Sequence, residues 1–273
     1  MVVCSEPDRW DKFQISKFNV GRSEINYMAE ILNHLGQRVG FSVGAWTPPA
    51  WPLREPMVGR FCRVVPLDPD QHAAELHAAN LSDANGAMWT YLPYGPFESR
   101  EIYRAWLKDT TCHDDPIFYS ILDNTTAKPV GLAAYLRILP ASGSIEVGHV
   151  NYSPLLQRTP AATEAMFLMM QRAFQLGYRR YEWKCDTLHA KSRAAALRLG
   201  FSFEGVFRQA TVYKGRNRDT AWFSILDCEW PALEASFRRW LDPANFDEQG
   251  AQRVRLSALT TAALLQGGQA LDK

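Results

Sequence analysis

Between Ser23 and Leu265 the spacing of apolar residues switches repeatedly from a period near 3.6 to one near 2, and each switch marks an element. Ile25, Met28, Ile31, Leu32 and Leu35 follow Ser23 at helical spacing and stop at Gly36, which predicts a helix. Gly40 to Pro56 breaks that spacing. Pro48, Pro49, Pro52 and Pro56 forbid a regular helix, and Trp46 and Trp51 disfavour a solvated linker, so the stretch reads as an extended strap laid across the main domain. Residues 1–22 are polar and mixed, as expected of a poorly ordered arm.

From Arg60 the alternation becomes regular. Phe61 to Leu67 predicts a strand, Asp70 to Asn80 and Glu98 to Asp109 predict helices, and Ile117 to Leu122, Val130 to Leu139 and Ser144 to Tyr152 predict an antiparallel meander. Thr163 to Leu176 is the clearest helix. Met166, Met169, Met170, Ala173 and Phe174 form its apolar stripe and Gly177 closes it. Tyr178 to Cys185 is a strand and Ala190 to Leu199 a short helix ending at Gly200. Val206 to Tyr213 and Thr220 to Asp227 are strands about a polar turn, Lys214 to Asp219. Trp230 to Leu241 is an amphipathic helix, and Val254 to Leu265 can form one more. The order is that of an α+β fold, a mixed sheet covered by helices. Residues 144–185 are a strand–helix–strand unit, which a right-handed crossover makes parallel. Three regions follow: an arm, helix and strap over 1–58, a main domain over 59–230 and a helical extension over 231–273.

Composition narrows the classes of function. The 273 residues are 47% apolar and 22% charged, with a net charge of +1. Wholesale disorder does not fit these values, and neither does the basic footprint of a nucleic-acid binder. No apolar run reaches the length of a membrane helix, and MVVCSEPDRWDKF does not read as a signal peptide. The five cysteines are scattered and form no CxxC pair. The expectation is reduced thiols in a cytoplasmic protein with no metal site, no nucleic-acid partner and no membrane partner.

The most informative stretch is Ser153 to Ala165, SPLLQRTPAATEA, which joins a strand to the longest helix. A helix N-terminus offers free N–H groups and the positive end of the helix dipole, which suit a phosphate. Thr159 can be the N-cap, Pro160 the first helical residue, and Arg158 an added charge. A plain capped helix satisfies the same residues.

The order of elements resembles that of the GNAT N-acetyltransferases, and specific residues carry the resemblance. That family has a Q/R-x-x-G-x-G/A loop after its fourth strand. Gln157-Arg158-Thr159-Pro160-Ala161-Ala162 stands in its place, followed by Thr163-Glu164-Ala165. The family's later Asn-x-x-Ser before a helix ending in Leu-Gly-Phe appears as His189-Ala190-Lys191-Ser192 with Leu199-Gly200-Phe201. Phe203-Glu204-Gly205 and Gly215-Arg216-Asn217-Arg218-Asp219 are similar to the branch that acetylates ribosomal-protein N-termini (the RimJ/RimL type). The resemblance covers roughly residues 60–228. Two residues depart from it. Pro160 replaces a glycine and loses a phosphate donor, leaving Arg158, Ala161, Ala162 and Thr163 to donate. His189 replaces an asparagine.

The resemblance implies a mostly antiparallel sheet flanked by helices and splayed between its fourth and fifth core strands. Acetyl-CoA would lie in the gap, with Val150, Asn151 and Tyr152 along the pantetheine. Gln157, Arg158, Thr159, Ala161, Ala162 and Thr163 would hold the pyrophosphate, with His189 nearby. Ser192 would stand by the thioester sulfur, and a capping serine is its plainer role. His149 would accept the amine proton, or be a hydrogen-bonded structural residue. Glu146 and Glu182 are other candidate bases, which strand alternation would turn toward solvent. Tyr213 is a candidate acid or a satisfied buried tyrosine, and Asp219 a turn residue. Arg179, Arg180, Arg193 and Arg198 read as a solvated face or as contacts to the coenzyme's 3′-phosphate. Trp89, Tyr91, Tyr94 and Phe97 would line an acceptor pocket or pack the core. The implied activity is transfer of acetyl from acetyl-CoA to a primary amine, on a peptide N-terminus, a lysine or a small molecule, by direct attack on the thioester, with a homodimer allowed. The alternative is a non-catalytic acyl-CoA sensor or scaffold.

Overall fold

The computed structural model describes residues 31–270, which fall into two units: 42–267, and a smaller one whose described residues are 31–41 and 268–270. In the smaller unit β1 (Ile31–Leu32) pairs antiparallel with β2 (Arg38–Val39). The expected helix is thereby corrected over 31–35, and its earlier residues, like the expected arm, lie outside the described residues. The cause is local. Asn33 Oδ1 accepts the N–H groups of Leu35 and Gln37, and Gly36 supplies φ +73°, so the side chain builds a turn where helical bonds would run.

In the larger unit β3 (Met57–Val58), β4 (Cys62–Pro66), β5 (Ile117–Asp123), β6 (Pro129–Leu139), β7 (Ser144–Tyr152), β8 (Arg180–Asp186), β9 (Ser202–Tyr213) and β10 (Arg216–Leu226) form one sheet. Its spatial order is β3-β4-β5-β6-β7-β8-β10-β9. Every neighbouring pair is antiparallel except β7 and β8, which are parallel. The β9–β10 turn is tighter than the predicted polar stretch 214–219. Lys214 (φ +49°) and Gly215 (φ +67°) are both left-handed, as a two-residue hairpin turn requires, so pairing continues to Tyr213 and Arg216.

Alternation along the strands separates two cores. Tyr119, Ala133, Tyr135, Ile145, Val147, Tyr181, Trp183 and Phe223 face α3 (Pro160–Gln175) and α5 (Trp230–Leu241). Phe118, Leu132 and Ala134 face α1 (Pro69–Asn80) and α2 (Arg100–Thr111). α4 (Ala190–Arg198) follows β8, and α6 (Leu256–Ala270) packs near its C-terminus, where Thr260 Oγ1 donates to the Arg198 carbonyl. Gly200 ends α4 at φ +92°, and a Cβ there would meet Leu233 at 2.6 Å. Residues 42–56 hold no regular element. The Tyr178 and Tyr119 hydroxyls donate to the carbonyls of Ala50 and Leu53, fixing this stretch against the unit.

α3 is anchored from within. Glu164, almost fully buried, accepts the N–H groups of Arg60, Phe61 and Cys62 at 2.7, 2.6 and 2.9 Å. A carboxylate satisfied by three main-chain donors fixes the first turns of the helix against the β3–β4 corner. Gly59 makes room for it: a Cβ there would lie 2.4 Å from the carboxyl.

Candidate active site

The parallel pair opens partway along. β7 and β8 pair from Ser144 with Arg180 to Val147 with Trp183 and no further. Gly148 to Tyr152 continue beside β6 alone, so their edge toward β8 carries main-chain groups with no strand partner. His149 (φ +49°) lies in the irregular stretch of β7, where the register against β6 shifts. The opening leads into a cleft of about 1250 Å³.

Val150, Tyr152, Gln157, Arg158, Thr159, Ala162, Thr163, His189 and Ser192 all line this cleft. Nine of the residues expected around the coenzyme are thus brought to one cleft. Asn151 and Ala161 do not line it. Asn151 pairs with Leu132, so alternation turns its side chain to the other face, where both amide atoms are buried without a partner. Ala161 packs its methyl into the core under β4. Pro160 lines the cleft, but as a ring with no N–H. Thr159 is the N-cap, and its Oγ1 accepts the Ala162 N–H at 3.2 Å, so that donor is already engaged. Thr163 Oγ1 accepts from Arg198 Nη2 at 3.0 Å.

Ser192 stands in the first turn of α4, and its Oγ accepts the Trp183 indole N–H at 3.0 Å. The hydroxyl proton remains to donate, and the Cys185 thiol on β8 lies within its hydrogen-bonding reach. Sequence reasoning missed Trp183 as this partner, since a tryptophan on a buried strand face reads only as core. His189 caps α4 with no side-chain bond to it and stacks on Tyr91 at 4.2 Å, 12° from parallel. Burial lowers its pKa.

His149 is not brought to this cleft. Its ring stacks on Tyr94, its Nδ1 lies 3.2 Å from the Tyr94 hydroxyl, and Phe118 flanks it. Burial pulls its pKa down to about 4, so the ring is neutral at pH 7 and a weak proton acceptor. Trp89, Tyr94 and Phe97 likewise pack with Trp106 and Tyr103 around α1 and α2. Glu146 and Glu182 are not turned to solvent. Glu146, 3% exposed, pairs with Arg137 and Lys184 at 2.7 Å each, and Lys184 also bonds Glu182 at 2.7 Å. Lys184 Nζ sits 3.7 Å from the Trp222 ring centroid. The two carboxylates are unexposed because the other half of the network comes from neighbouring strands. The Tyr213 hydroxyl donates to Asp186 Oδ2 at 3.0 Å, and burial with this carboxylate raises its pKa to about 12. Asp219 Oδ1 accepts from Gln209 N and Asn217 Nδ2 within the hairpin.

The four arginines read as one cluster separate. Arg180 bonds Glu182 and Glu204, Arg179 lies over Trp46, and Arg193 donates to the Thr187 carbonyl. Arg198 alone lines the cleft, where burial lowers its pKa. Arg158, Lys191, Arg253 and Arg255 line it too, against one acidic residue, Asp83. No sequence motif announces this concentration of charge, because the cations come from three separate segments. A chain of net charge +1 has gathered five of them around one opening. Such a wall suits a polyanionic ligand. Among the described residues no group of three or more His, Cys, Asp or Glu is placed to hold a metal ion, and no helix is long and apolar enough to cross a membrane.

The family model described as the acetyltransferase (GNAT) domain matches residues 63–202. A GCN5-related N-acetyltransferase from Brucella melitensis is 46% identical, with a TM-score of 0.78, over 80% of this chain and 100% of that one. A probable GNAT-family acetyltransferase from Chromobacterium violaceum is 42% identical, with a TM-score of 0.68, over 72% of this chain and 98% of the other. The fold alone is shared with the coenzyme A complex of RimL, a ribosomal L7/L12 alpha-N-protein acetyltransferase. That structure is 20% identical over 63% of this chain and 98% of its own, with a TM-score of 0.53. No curated protein matches the chain. A domain match over about half the chain, and a relative nearly half identical across four fifths of it, agree with the opened β7–β8 pair: the chain belongs to the GNAT family and is an acetyl-CoA-dependent N-acetyltransferase.

Proposed function

We propose that the cleft takes acetyl-CoA with its pyrophosphate at the N-terminus of α3 and its pantetheine along the free edge of β7, and that Ser192 serves the departing sulfur. The observation that carries this reading is the opening of β7 from β8 after Val147, directly before the capped helix and within a cation-lined wall. The site fits the coenzyme on its own chemistry. The β7 edge offers N–H and C=O groups to amides, Arg158 and the α3 dipole offer positive charge to phosphates, and Pro160 and the capped Ala162 take two donors away. Arg158 and the surrounding cations make up for those two.

The coenzyme supplies a thioester whose carbonyl carbon is open to attack by an amine. The amine nitrogen forms the new C–N bond, the C–S bond breaks, and the thiolate leaves with the electron pair. The protein's part is placement. The Trp183 N–H occupies a lone pair of Ser192 Oγ and leaves its hydroxyl proton to turn from the Cys185 thiol to the developing charge on sulfur. His149 serves as a positioning residue: neutral and held by Tyr94, it keeps the distorted stretch of β7 in shape. The amine's proton passes to water.

The acceptor reaches the opening from the α1–α2 side of the sheet, where those helices cover β5 and β6. Glu146, Lys184, Glu182 and Trp222 form a paired, largely buried network on that face beside the opening. This mixture of carboxylates, a cation and an aromatic plane fits an amine carried on a peptide or amino acid. The likeness of fold to RimL points the same way.

Calorimetric titration with acetyl-CoA, followed by an acyl-transfer assay across amino-acid and peptide amines, tests the reading. Saturable binding is expected. Ser192→Ala should lower kcat about 100-fold with coenzyme affinity nearly unchanged. An unaltered kcat in the folded variant would remove Ser192 from the chemistry.

A further inference from the structure

Beyond the matched domain the chain returns to the cleft. After α5, residues 242–255 double back: Phe246 bridges Gln252, and Asp247 Oδ1 accepts the N–H groups of Gln249 and Ala251. The loop is pinned at its base by Asn245, a buried amide. Its Nδ2 donates to the carbonyls of Trp240 and Val254, and its Oδ1 accepts the Val254 N–H at 2.8 Å. The Trp240 indole N–H donates to Gln252 Oε1 at 2.7 Å. Both amide hydrogens and the carbonyl oxygen of the Asn245 side chain are bonded within the unit, so this is a built structure and not a trailing end.

Its place relative to α3 follows from a run of contacts. Thr163, in the first turn of α3, accepts from Arg198. The Arg198 guanidinium lies 5.4 Å from the Trp240 ring centroid, and Trp240 holds both Gln252 and, edge-on at 5.3 Å, Phe246. The run leads from the expected pyrophosphate position away from Ser192 and ends at the loop. There Arg253 and Arg255 line the same cleft. Among the described residues neither their side chains nor that of Arg198 meets a carboxylate. Three guanidinium groups line the cleft here with no carboxylate paired to any of them, and the cleft's acidic residue, Asp83, accepts the Met88 N–H instead. Like charges gathered at one place repel unless an anion joins them.

We propose that the loop 246–255 is the second wall of the coenzyme site and that Arg253 and Arg255 bind the 3′-phosphate of its ribose, with Arg198 between the two walls. This rests on the coenzyme reading above. The pyrophosphate is served by α3 and Arg158, and the 3′-phosphate is the remaining anionic group of the ligand. It lies at the end opposite the thioester, as the loop does. Guanidinium is the group that binds a terminal phosphate through two oxygens at once.

The test titrates the full chain and an Arg253→Ala/Arg255→Ala variant with coenzyme A and with 3′-dephospho-coenzyme A, beside thermal unfolding of each. The wild type should prefer coenzyme A by about tenfold or more, and the folded double variant should lose that preference while binding coenzyme A about ten- to a hundredfold more weakly. Arg158→Ala should weaken both ligands by a similar factor and keep the preference. A double variant that retains the wild-type preference, or a wild type that binds both ligands alike, overturns the 3′-phosphate assignment and leaves the coenzyme reading standing. A wild type that binds neither ligand overturns the coenzyme reading itself. Should the double variant unfold, Arg253→Lys/Arg255→Lys gives the same comparison with charge retained. A partial loss of preference is then expected, and an undiminished one contradicts the assignment.

Discussion

The two walls of the cleft are held in different ways. The α3 wall rests on a buried carboxyl group: Glu164 accepts three main-chain N–H groups from the β3–β4 corner, deep in the core. The outer wall, 246–255, rests on a neutral amide, Asn245, at the base of an exposed loop. The first is integral to the sheet and the second is added beside it. A site divided this way can keep one half rigid for chemistry while the other half governs how tightly the coenzyme is held.

Removing each support separates the two roles, and the largest effect belongs to the inner one. Glu164→Ala strips three buried donors of their acceptor and should cost about 3–5 kcal/mol of stability, read as a lowered denaturation midpoint with the m-value unchanged. Glu164→Gln keeps one acceptor oxygen and should cost less. A Glu164→Ala variant as stable as the wild type would show that α3 is held by its apolar stripe alone.

Acid probes the opposite face of the sheet. His149 is neutral in the folded protein because burial brings its pKa to about 4, while the unfolded chain takes up a proton below its ordinary value of about 6.5. Its neutrality costs nothing above that value. As pH falls from about 6.5 to about 4 the unfolded state gains protons first, so stability declines by at most about 3 kcal/mol. Denaturation at pH 7.5, 6 and 4.5 should show the decline, and His149→Phe should flatten it. An equal slope in the variant would place the acid sensitivity in other groups.

The smallest expected effect is at the outer wall. Asn245→Ala removes the bonds that fix Val254 and should cost about 1–3 kcal/mol, with coenzyme affinity falling alongside and kcat at saturation nearly kept. A lowered kcat at saturation would join the loop to the chemistry and erase the distinction between the walls.

The inner wall was legible before the fold was known. Thr159-Pro160 is a helix start in any context, strand alternation separates the residues facing α3 from those facing α1 and α2, and Ser192 with Leu199-Gly200-Phe201 repeats a family spacing. What escaped depends on partners distant in the chain. Nothing at Glu164 says that it will meet residues 60–62, and nothing at Trp183 says that it will orient Ser192. Glu146 and Glu182 looked solvent-facing because alternation assigns a face and does not say what neighbouring strands bring to it, here Arg137, Lys184 and Arg180. His149 looked like a base for the same reason, since its stack on Tyr94 and the burial that neutralises it come from a loop 55 residues away. The hairpin at Asn33 and Gly36 shows the reverse. A turn encoded within five residues overrode a helical spacing of apolar positions.

Hydrogen exchange of the full chain with and without coenzyme A tests most directly whether one ligand spans both walls. Slower exchange is expected in three stretches together: 148–152 on the β7 edge, 158–163 at the start of α3, and 246–255 in the loop. Protection of the loop absent while the other two are slowed would contradict the two-walled site, and no protection at 148–163 would contradict the placement of the coenzyme in the opened sheet.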